Sequence, residues 1–304
     1  MSFPFDTTLI PDASAEIAPS DYNFIQTIAA NIKRGRCILF LGAGVNYCSD
    51  ENEKLYKREQ RPPTGWELAQ LIKAELVHRD MLKDTANLSE IAQYHELEQG
   101  SFDSLTDLLT KEIKTGKSPS PLLYYLASMP FQYVMTTNYD QLFETALRAV
   151  KKEPYVGVYN RQRDKLTFDV PPNQITTEKP FVYKVHGDID SRSSIVITDE
   201  DYIQFILRMS DKENYNPIPQ SFTDALTSKS ILFIGYRLMD YNLRLLFKTL
   251  RWGRDPITLP KNYSIDPAPN HLIQLLFEDN YKTHFIVLDA WKIIPLLYKE
   301  VTKE

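Results

Sequence analysis

The stretch Arg36-Cys37-Ile38-Leu39-Phe40-Leu41-Gly42-Ala43-Gly44-Val45-Asn46 decides how this chain is read, because a short apolar run ends on two closely spaced glycines. Ile38 to Leu41 show no polar alternation, so the segment reads as a strand buried on both faces, as in a parallel sheet covered by helices. Gly42 and Gly44 let the backbone turn at positive φ and let a ligand approach where no Cβ stands in the way. If a helix follows, its free N–H groups face that gap and favour phosphate. An ordinary strand-to-loop turn is the alternative, and a lone G-x-G does not separate the two.

Upstream of this strand, residues 1–20 hold Pro4, Pro11 and Pro19 among small and acidic residues, which suits an arm lying over the domain or reaching a neighbouring subunit. Asp21 is placed to cap a helix through Phe24, Ile25, Ile28 and Ile32. Downstream, Cys48 to Arg61 is polar and charged and reads as an exposed loop able to close over the glycine turn. Thr64 then caps a helix carrying Leu68, Leu71, Ile72 and Leu76 on one face. Helical patterns follow at Leu88–Leu97, Phe102–Ile113 and Pro121–Ala127, too much chain for one βαβ crossover, so about 62–128 reads as a helical insertion packed beside the sheet.

Further strands are expected at Phe131–Thr136, Tyr155–Tyr159, Phe181–Val185, Ser230–Ile234 and His284–Leu288, with a short one at Ile195–Ile197. Helices are expected at Gln141–Val150, from Thr198 and Asp201 onward, at Pro217–Leu226, over Leu243, Leu246, Phe247 and Leu250, and at Asn270–Glu278 and Ile293–Val301. Arg161 to Glu178 reads as a loop or hairpin. The pattern predicts an α/β fold over 21–304: a Rossmann-like, mostly parallel sheet with helices on both faces plus the insertion.

Composition narrows the function classes. The chain has 304 residues, 43 % hydrophobic and 25 % charged, as in a soluble globular protein. A net charge of −5 argues against a general phosphate-backbone binder, and no direct sequence-specific nucleic-acid binding is expected. Two cysteines, Cys37 and Cys48, make neither a disulfide framework nor a four-thiolate zinc site, so a reducing cytoplasm is the expected compartment. No membrane association is expected, since neither a signal peptide nor an apolar run of spanning length is visible.

The informative feature is positional. Four apolar strands each end on polar or glycine residues: Gly42-Ala43-Gly44 with Asn46, Thr137-Asn138 with Asp140, His186-Gly187-Asp188, and Gly235-Tyr236 with Asp240. In an open parallel sheet, ligands bind beyond the carboxyl ends of the strands, where strand order reverses, so these residues are expected to converge on one cleft. Taken singly, Asn138, Asp140 and Asp240 also read as helix caps, and His186 as a core histidine.

The combination resembles the sirtuin (SIR2) superfamily, and more closely its SIR2-like branch in bacterial antiphage defence. The resemblance rests on Gly42-Ala43-Gly44-Val45, Pro63-Thr64-Gly65-Trp66, Thr137-Asn138-Tyr139-Asp140, Val185-His186-Gly187 and Gly235-Tyr236-Arg237-Leu238-Met239-Asp240, spread over roughly 20–290. Two departures point to the defence branch. Two cysteines cannot supply the zinc ribbon of the deacetylating sirtuins, and Thr137 and Gly235-Tyr236-Arg237 replace the Gln and Gly-Thr-Ser found there.

The resemblance implies an NAD+ hydrolase that releases nicotinamide and ADP-ribose and depletes NAD+ when activated in an assembly, with no zinc and no cofactor beyond NAD+ as substrate. It implies Asn138 orienting the ribose or the attacking water and His186 as base, a task suited to a pKa near 6.5. Gly42, Ala43, Gly44, Asn46, Thr137, Asp140, Gly235, Tyr236 and Asp240 are the implied binding residues. Implied partners are further copies of the chain and a separately encoded activator, an ATPase or a sensor. The alternatives are a zinc-free NAD+-dependent protein deacylase and a non-catalytic module sensing NAD+ or ADP-ribose. Hydride transfer is disfavoured because Tyr47 stands where G-x-G-x-x-G needs its third glycine.

Overall fold

A computed structural model of the protein describes residues 3–10, 13, 16–161, 168–211, 214–215, 217–236, 238, 244–245, 247–248 and 259–303. Its centre is one sheet of β1 (Cys37–Leu41), β2 (Tyr133–Thr136), β3 (Tyr155–Val158), β4 (Phe181–Lys184), β5 (Ser230–Ile234), β6 (Asn262–Ile265) and β7 (Thr283–Ile286). The order across the sheet is β3-β4-β2-β1-β5-β6-β7, and every neighbouring pair is parallel. Every residue of β1, β2, β4, β5 and β6 is buried, as a sheet covered on both faces requires, although polar residues interrupt β6.

The pleat sends alternate side chains to two different cores. Cys37, Leu39 and Leu41 join α1 (Pro19–Lys33), α5 (Pro121–Ser128), α6 (Leu142–Ala149) and α10 (Ala290–Thr302) on one face. Ile38 and Phe40 join α7 (Asp199–Ser210), α8 (Gln220–Ser228) and α9 (His271–Tyr281) on the other. Phe3 and Phe5 lie over the first face, with their rings against Tyr125 and Tyr298.

A third core belongs to α2 (Gly65–Glu75), α3 (Leu88–Gln99) and α4 (Phe102–Ile113). The expectation of a group packed beside the sheet needs correction. Leu68, Ile72, Ile91, Leu105 and Leu109 pack with Tyr139, Ile189, Ile195 and Ile197, which lie in the loops after β2 and β4. Three of the four helices between β1 and β2 therefore sit against the carboxyl edge of the sheet, and only α5 joins a face.

Other local differences have physical causes. Asp21 lies in the first turn of α1; Ala18 is the N-cap and Pro19 takes the first helical position, where its missing N–H costs nothing. Ile195–Ile197 is not a strand but a buried connection into the third core. Strand β6 was masked by polar residues: Asn262 Oδ1 accepts from the N–H of Ile231 at 2.9 Å, so its side chain stands in for backbone pairing. Thr64 caps α2 as expected and forms a capping box with Glu67, and Thr198 and Asp201 form one at the start of α7.

The loop from Cys48 to Arg61 is exposed at most of its charged residues, as expected, and is pinned to the body at two points. Tyr56 is buried and donates to the carbonyl of Ser118 at 2.7 Å, while Arg61 is buried in a two-pronged ion pair with Glu67 at 2.7 and 2.6 Å. The helix expected over Leu243 to Leu250 falls mostly outside the described residues. Among the described residues no helix is long and apolar enough to cross a membrane.

Candidate active site at the carboxyl edge

The register brings four strand ends level. Leu41 lies opposite Thr136 on one side and Ile234 on the other, and Thr136 lies opposite Lys184. Neighbouring strands sit about 4.8 Å apart, so the ends of β4, β2, β1 and β5 span roughly 14 Å. After β1 the chain moves to one side to build β2, β3 and β4, then returns to the other side for β5. The strand order reverses between β1 and β5, the position beyond which sheets of this kind bind ligands.

The two glycine turns meet at that reversal. Gly44 N–H donates to the carbonyl of Gly235 at 3.0 Å, and Gly42 N–H to the carbonyl of Ile234 at 2.9 Å. A Cβ on Gly42 would stand 2.5 Å from the Gly235 oxygen, and one on Gly235 would stand 2.2 Å from the nitrogen of Val45. The expected reason for the first glycines is thereby corrected: Gly42 is extended at φ −113°, and of the three only Gly235 has positive φ, at 76°. Close backbone packing demands Gly42 and Gly44. No α-helix follows the turn either; Ala43–Asn46 is one short 3-10 turn, so the expected helix N-terminus for phosphate is absent there.

Asn46 and Asn138 share an unusual property. Both side chains bury Oδ1 without any hydrogen-bond partner, whereas buried carboxamide oxygens are ordinarily satisfied. Asn138 is not a helix cap: its own N–H donates to Thr136 Oγ1 at 3.0 Å, and its side chain leaves the end of β2. Thr137 Oγ1 lies 2.6 Å from the Tyr236 hydroxyl, which also donates to the carbonyl of Leu41 at 2.9 Å. Tyr236 thus braces the ends of β1 and β2, its ring edge-on to Phe40. Asp240 lies outside the described residues.

His186 lies two residues beyond β4 with 3 % of its surface exposed, and its ring stands edge-on to Tyr202 and Phe205 of α7. Burial without a compensating carboxylate pushes its pKa down to about 3, so the imidazole is neutral at physiological pH. This differs from the basicity near 6.5 that suited it to proton abstraction. The neighbouring Gly187 has φ 94°, and a Cβ there would strike the carbonyl of Ser194 at 2.3 Å, so the turn after His186 also requires glycine.

Asp140 accepts from the N–H of Leu142 at 2.9 Å, a capping contact at the start of α6. Burial raises its pKa to about 6, against the opposing pull of Lys184. Lys184, which sequence reasoning passed over inside an apolar run, is fully buried at the end of β4. Its ammonium pairs with Asp188 at 2.7 Å and Glu144 at 3.2 Å, and donates to the carbonyls of Tyr139 and Asp140. Burial alone would depress the ammonium, but Glu144, Asp188 and Asp140 outweigh it and hold its pKa above the ordinary lysine value. A lysine inside a strand otherwise buried on both faces was the available signal, because a buried ammonium needs anionic partners. Among the described residues, no group of three or more His, Cys, Asp or Glu is arranged to hold a metal ion.

A sequence profile of the family described as SIR2-like domain matches residues 132–286, about half of the chain. The NAD(+) hydrolase ThsA of Enterococcus faecium is 29 % identical over 233 residues, covering 75 % of this chain and 42 % of that protein. Defense-associated sirtuin 2 of Bacillus subtilis is 25 % identical over 279 residues, covering 89 % of this chain and 24 % of that protein. The NAD(+) hydrolase ThsA of Acinetobacter baumannii (strain 532279) is 25 % identical over 307 aligned positions, covering 92 % of this chain and 55 % of that protein. The chain therefore spans between about a quarter and about half of the length of these curated relatives.

Proposed function

We propose that this chain, which belongs to the SIR2-like domain family, binds NAD+ along the carboxyl edge of β4, β2, β1 and β5 and hydrolyses its nicotinamide–ribose bond. The observation that carries the reading is the unpartnered, buried Oδ1 of Asn138 at a flush strand end beside the topological reversal. An acceptor without an internal partner suits a donor that arrives with a ligand, such as a ribose hydroxyl or a water. The names of the hydrolase relatives support the same substrate.

In this reading the pyrophosphate lies over Gly42, Ala43, Gly44 and Asn46, the ribose and nicotinamide lie toward Asn138 and His186, and Thr137, Asp140, Gly235, Tyr236 and Asp240 frame the site. Breaking the glycosidic bond builds an oxocarbenium-like cation, while nicotinamide departs as a neutral amide and needs no proton. Asn138 orients the ribose or the water through Oδ1. His186, neutral and weakly basic, accepts a hydrogen bond from a ribose hydroxyl more readily than a full proton, and the electrophilic cation captures water, whose proton passes to solvent without a strong base. We place the reaction in the cytoplasm, within an assembly of further copies switched on by a separately encoded ATPase or sensor.

The test is NAD+ turnover and nicotinamide release by the purified protein, alone and in its assembled state, beside Asn138→Ala and His186→Ala. Turnover that survives undiminished in both variants removes the assignment. A second reading, binding of NAD+ or ADP-ribose without turnover, draws on the depressed basicity of His186. Saturable binding with intact NAD+ recovered from the assembled protein after long incubation would favour it.

A further inference from the structure

We infer that Lys184 is a positioning residue for the proposed cleavage: its buried ammonium ties the loop that carries Asn138 to the loop that carries His186. The inference rests on the NAD+ reading of the site.

The argument begins with the donors. An ammonium has three N–H groups, and here all its acceptors come from two adjacent strand ends and the helix between them. Two are backbone carbonyls, Tyr139 at 3.2 Å and Asp140, so the contact fixes main chain directly after Asn138. A third is Asp188 Oδ2 at 2.7 Å, two residues after His186, while Glu144 Oε1 on α6 stands 3.2 Å away as an ion-pair partner without a hydrogen bond.

Asp188 extends the tie. Its Oδ1 accepts from the side-chain amide of Gln141 at 3.0 Å and from the N–H of Asp190 at 2.8 Å. The loop after β2 and the loop after β4 are therefore joined twice, through Lys184 and through Gln141. The backbone adds one further link, from Ile189 N–H to the carbonyl of Tyr139 at 3.0 Å.

A buried ion cluster is a poor device for stability alone, since apolar residues of similar volume commonly serve as well. What it supplies here is directionality: four fixed oxygens around one nitrogen permit only a narrow range of loop positions. Asn138 makes no side-chain hydrogen bond through Oδ1, so the position of that oxygen follows from how its loop is held. Catalysis of this kind loses rate steeply when a group moves by about 1 Å.

The experiment compares the wild type with Lys184→Met and with the triple variant Lys184→Met, Glu144→Gln, Asp188→Asn, which removes the ammonium together with its two ion-pair partners. The single variant strands the buried carboxylates of Glu144, Asp188 and Asp140 and is expected to lose stability heavily, so the triple variant carries the test. NAD+ kinetics are measured in the assembled protein, together with the side-chain amide signal of Asn138 by NMR, assigned by its loss in Asn138→Ala. The expected result is a cooperatively melting triple variant whose kcat falls at least tenfold while KM changes less than threefold, with the Asn138 signal shifted or broadened. Wild-type kcat in a folded triple variant overturns the inference, whether or not the amide signal moves. A triple variant that fails to fold also counts against it, by giving the ammonium a global structural role. If the wild type itself turns over no NAD+ in any state, the proposed function falls. The amide signal then decides whether Lys184 holds Asn138: unmoved, the tie is overturned; moved, it stands.

Discussion

The backbone N–H of Gly44 donates to the carbonyl oxygen of Gly235 at 3.0 Å, so turns leaving β1 and β5 form one hydrogen-bonded unit at the point where strand order reverses. Neither turn has room for a Cβ facing the other. The two turns therefore meet main chain to main chain, held by distant parts of the sequence.

Gly235→Ala should destabilise the protein by about 3 kcal/mol or more, since a Cβ would lie 2.2 Å from Val45 nitrogen and 2.7 Å from Gly42 oxygen, both backbone atoms. Gly100→Ala is the matched control. Gly100 has a similar φ of 65° but nothing within 4 Å of the added carbon, so only the strain of the left-handed conformation applies, about 1 kcal/mol. Urea denaturation of both variants checks the difference; equal losses would mean that crowding at the paired turns contributes nothing.

Asn138→Ala should reduce NAD+ turnover about 100-fold or more while shifting stability by no more than about 0.5 kcal/mol. The side-chain oxygen has no partner to lose, and the hydrogen bond from the residue's own N–H to Thr136 is kept. Turnover in the assembled protein and a melting curve on the same preparation decide the point.

Two buried groups should give opposite acid responses. His186 titrates near 6.5 when unfolded and at about 3 when folded, so the unfolded chain takes up the proton first. Stability is full above pH 6.5 and falls as pH drops toward 3, by up to about 5 kcal/mol. Asp140 has its folded pKa raised from 3.8 to about 6, so its cost, present at neutral pH, is relieved as pH falls through 6 toward 4, by up to about 3 kcal/mol. Lys184, Glu144 and Asp188 surround that carboxyl and couple to it. Between pH 6.5 and 4 the two contributions nearly cancel. Urea denaturation across this range should show a much steeper acid loss in Asp140→Asn than in the wild type, and a shallower one below pH 4 in His186→Phe.

His95→Leu should stabilise the protein by about 1 kcal/mol. The imidazole on α3 is fully buried with neither ring nitrogen hydrogen-bonded, so one N–H and one lone pair are desolvated without return. Burial also depresses its pKa, so the gain should grow as pH falls below 6.5. An unchanged or lower melting temperature at pH 7 would show that the ring is held by a hydrogen-bond partner.

The apolar runs at β1, β2, β4 and β5 were legible because burial on both faces leaves no alternation, and the capping boxes at Thr64 and Thr198 because their chemistry is local. Strand β6 was not, since Asn262 and Ser264 interrupt its pattern, and Asn262 is satisfied only by the distant N–H of Ile231 and carbonyl of Tyr281.

The sequence by itself determined the parallel α/β architecture, the order of motifs along the chain and the gathering of glycine, amide and imidazole at strand ends. All of these follow from periodicity and residue type. Only the tertiary structure decided that Gly42 and Gly44 are required by Gly235 rather than by positive φ, that Lys184 joins two loops, and that His186 is too desolvated to be an ordinary base. Those properties depend on what lies across a gap from each residue. Distances and dielectric surroundings are set by packing between segments far apart in the chain, and no local pattern encodes them.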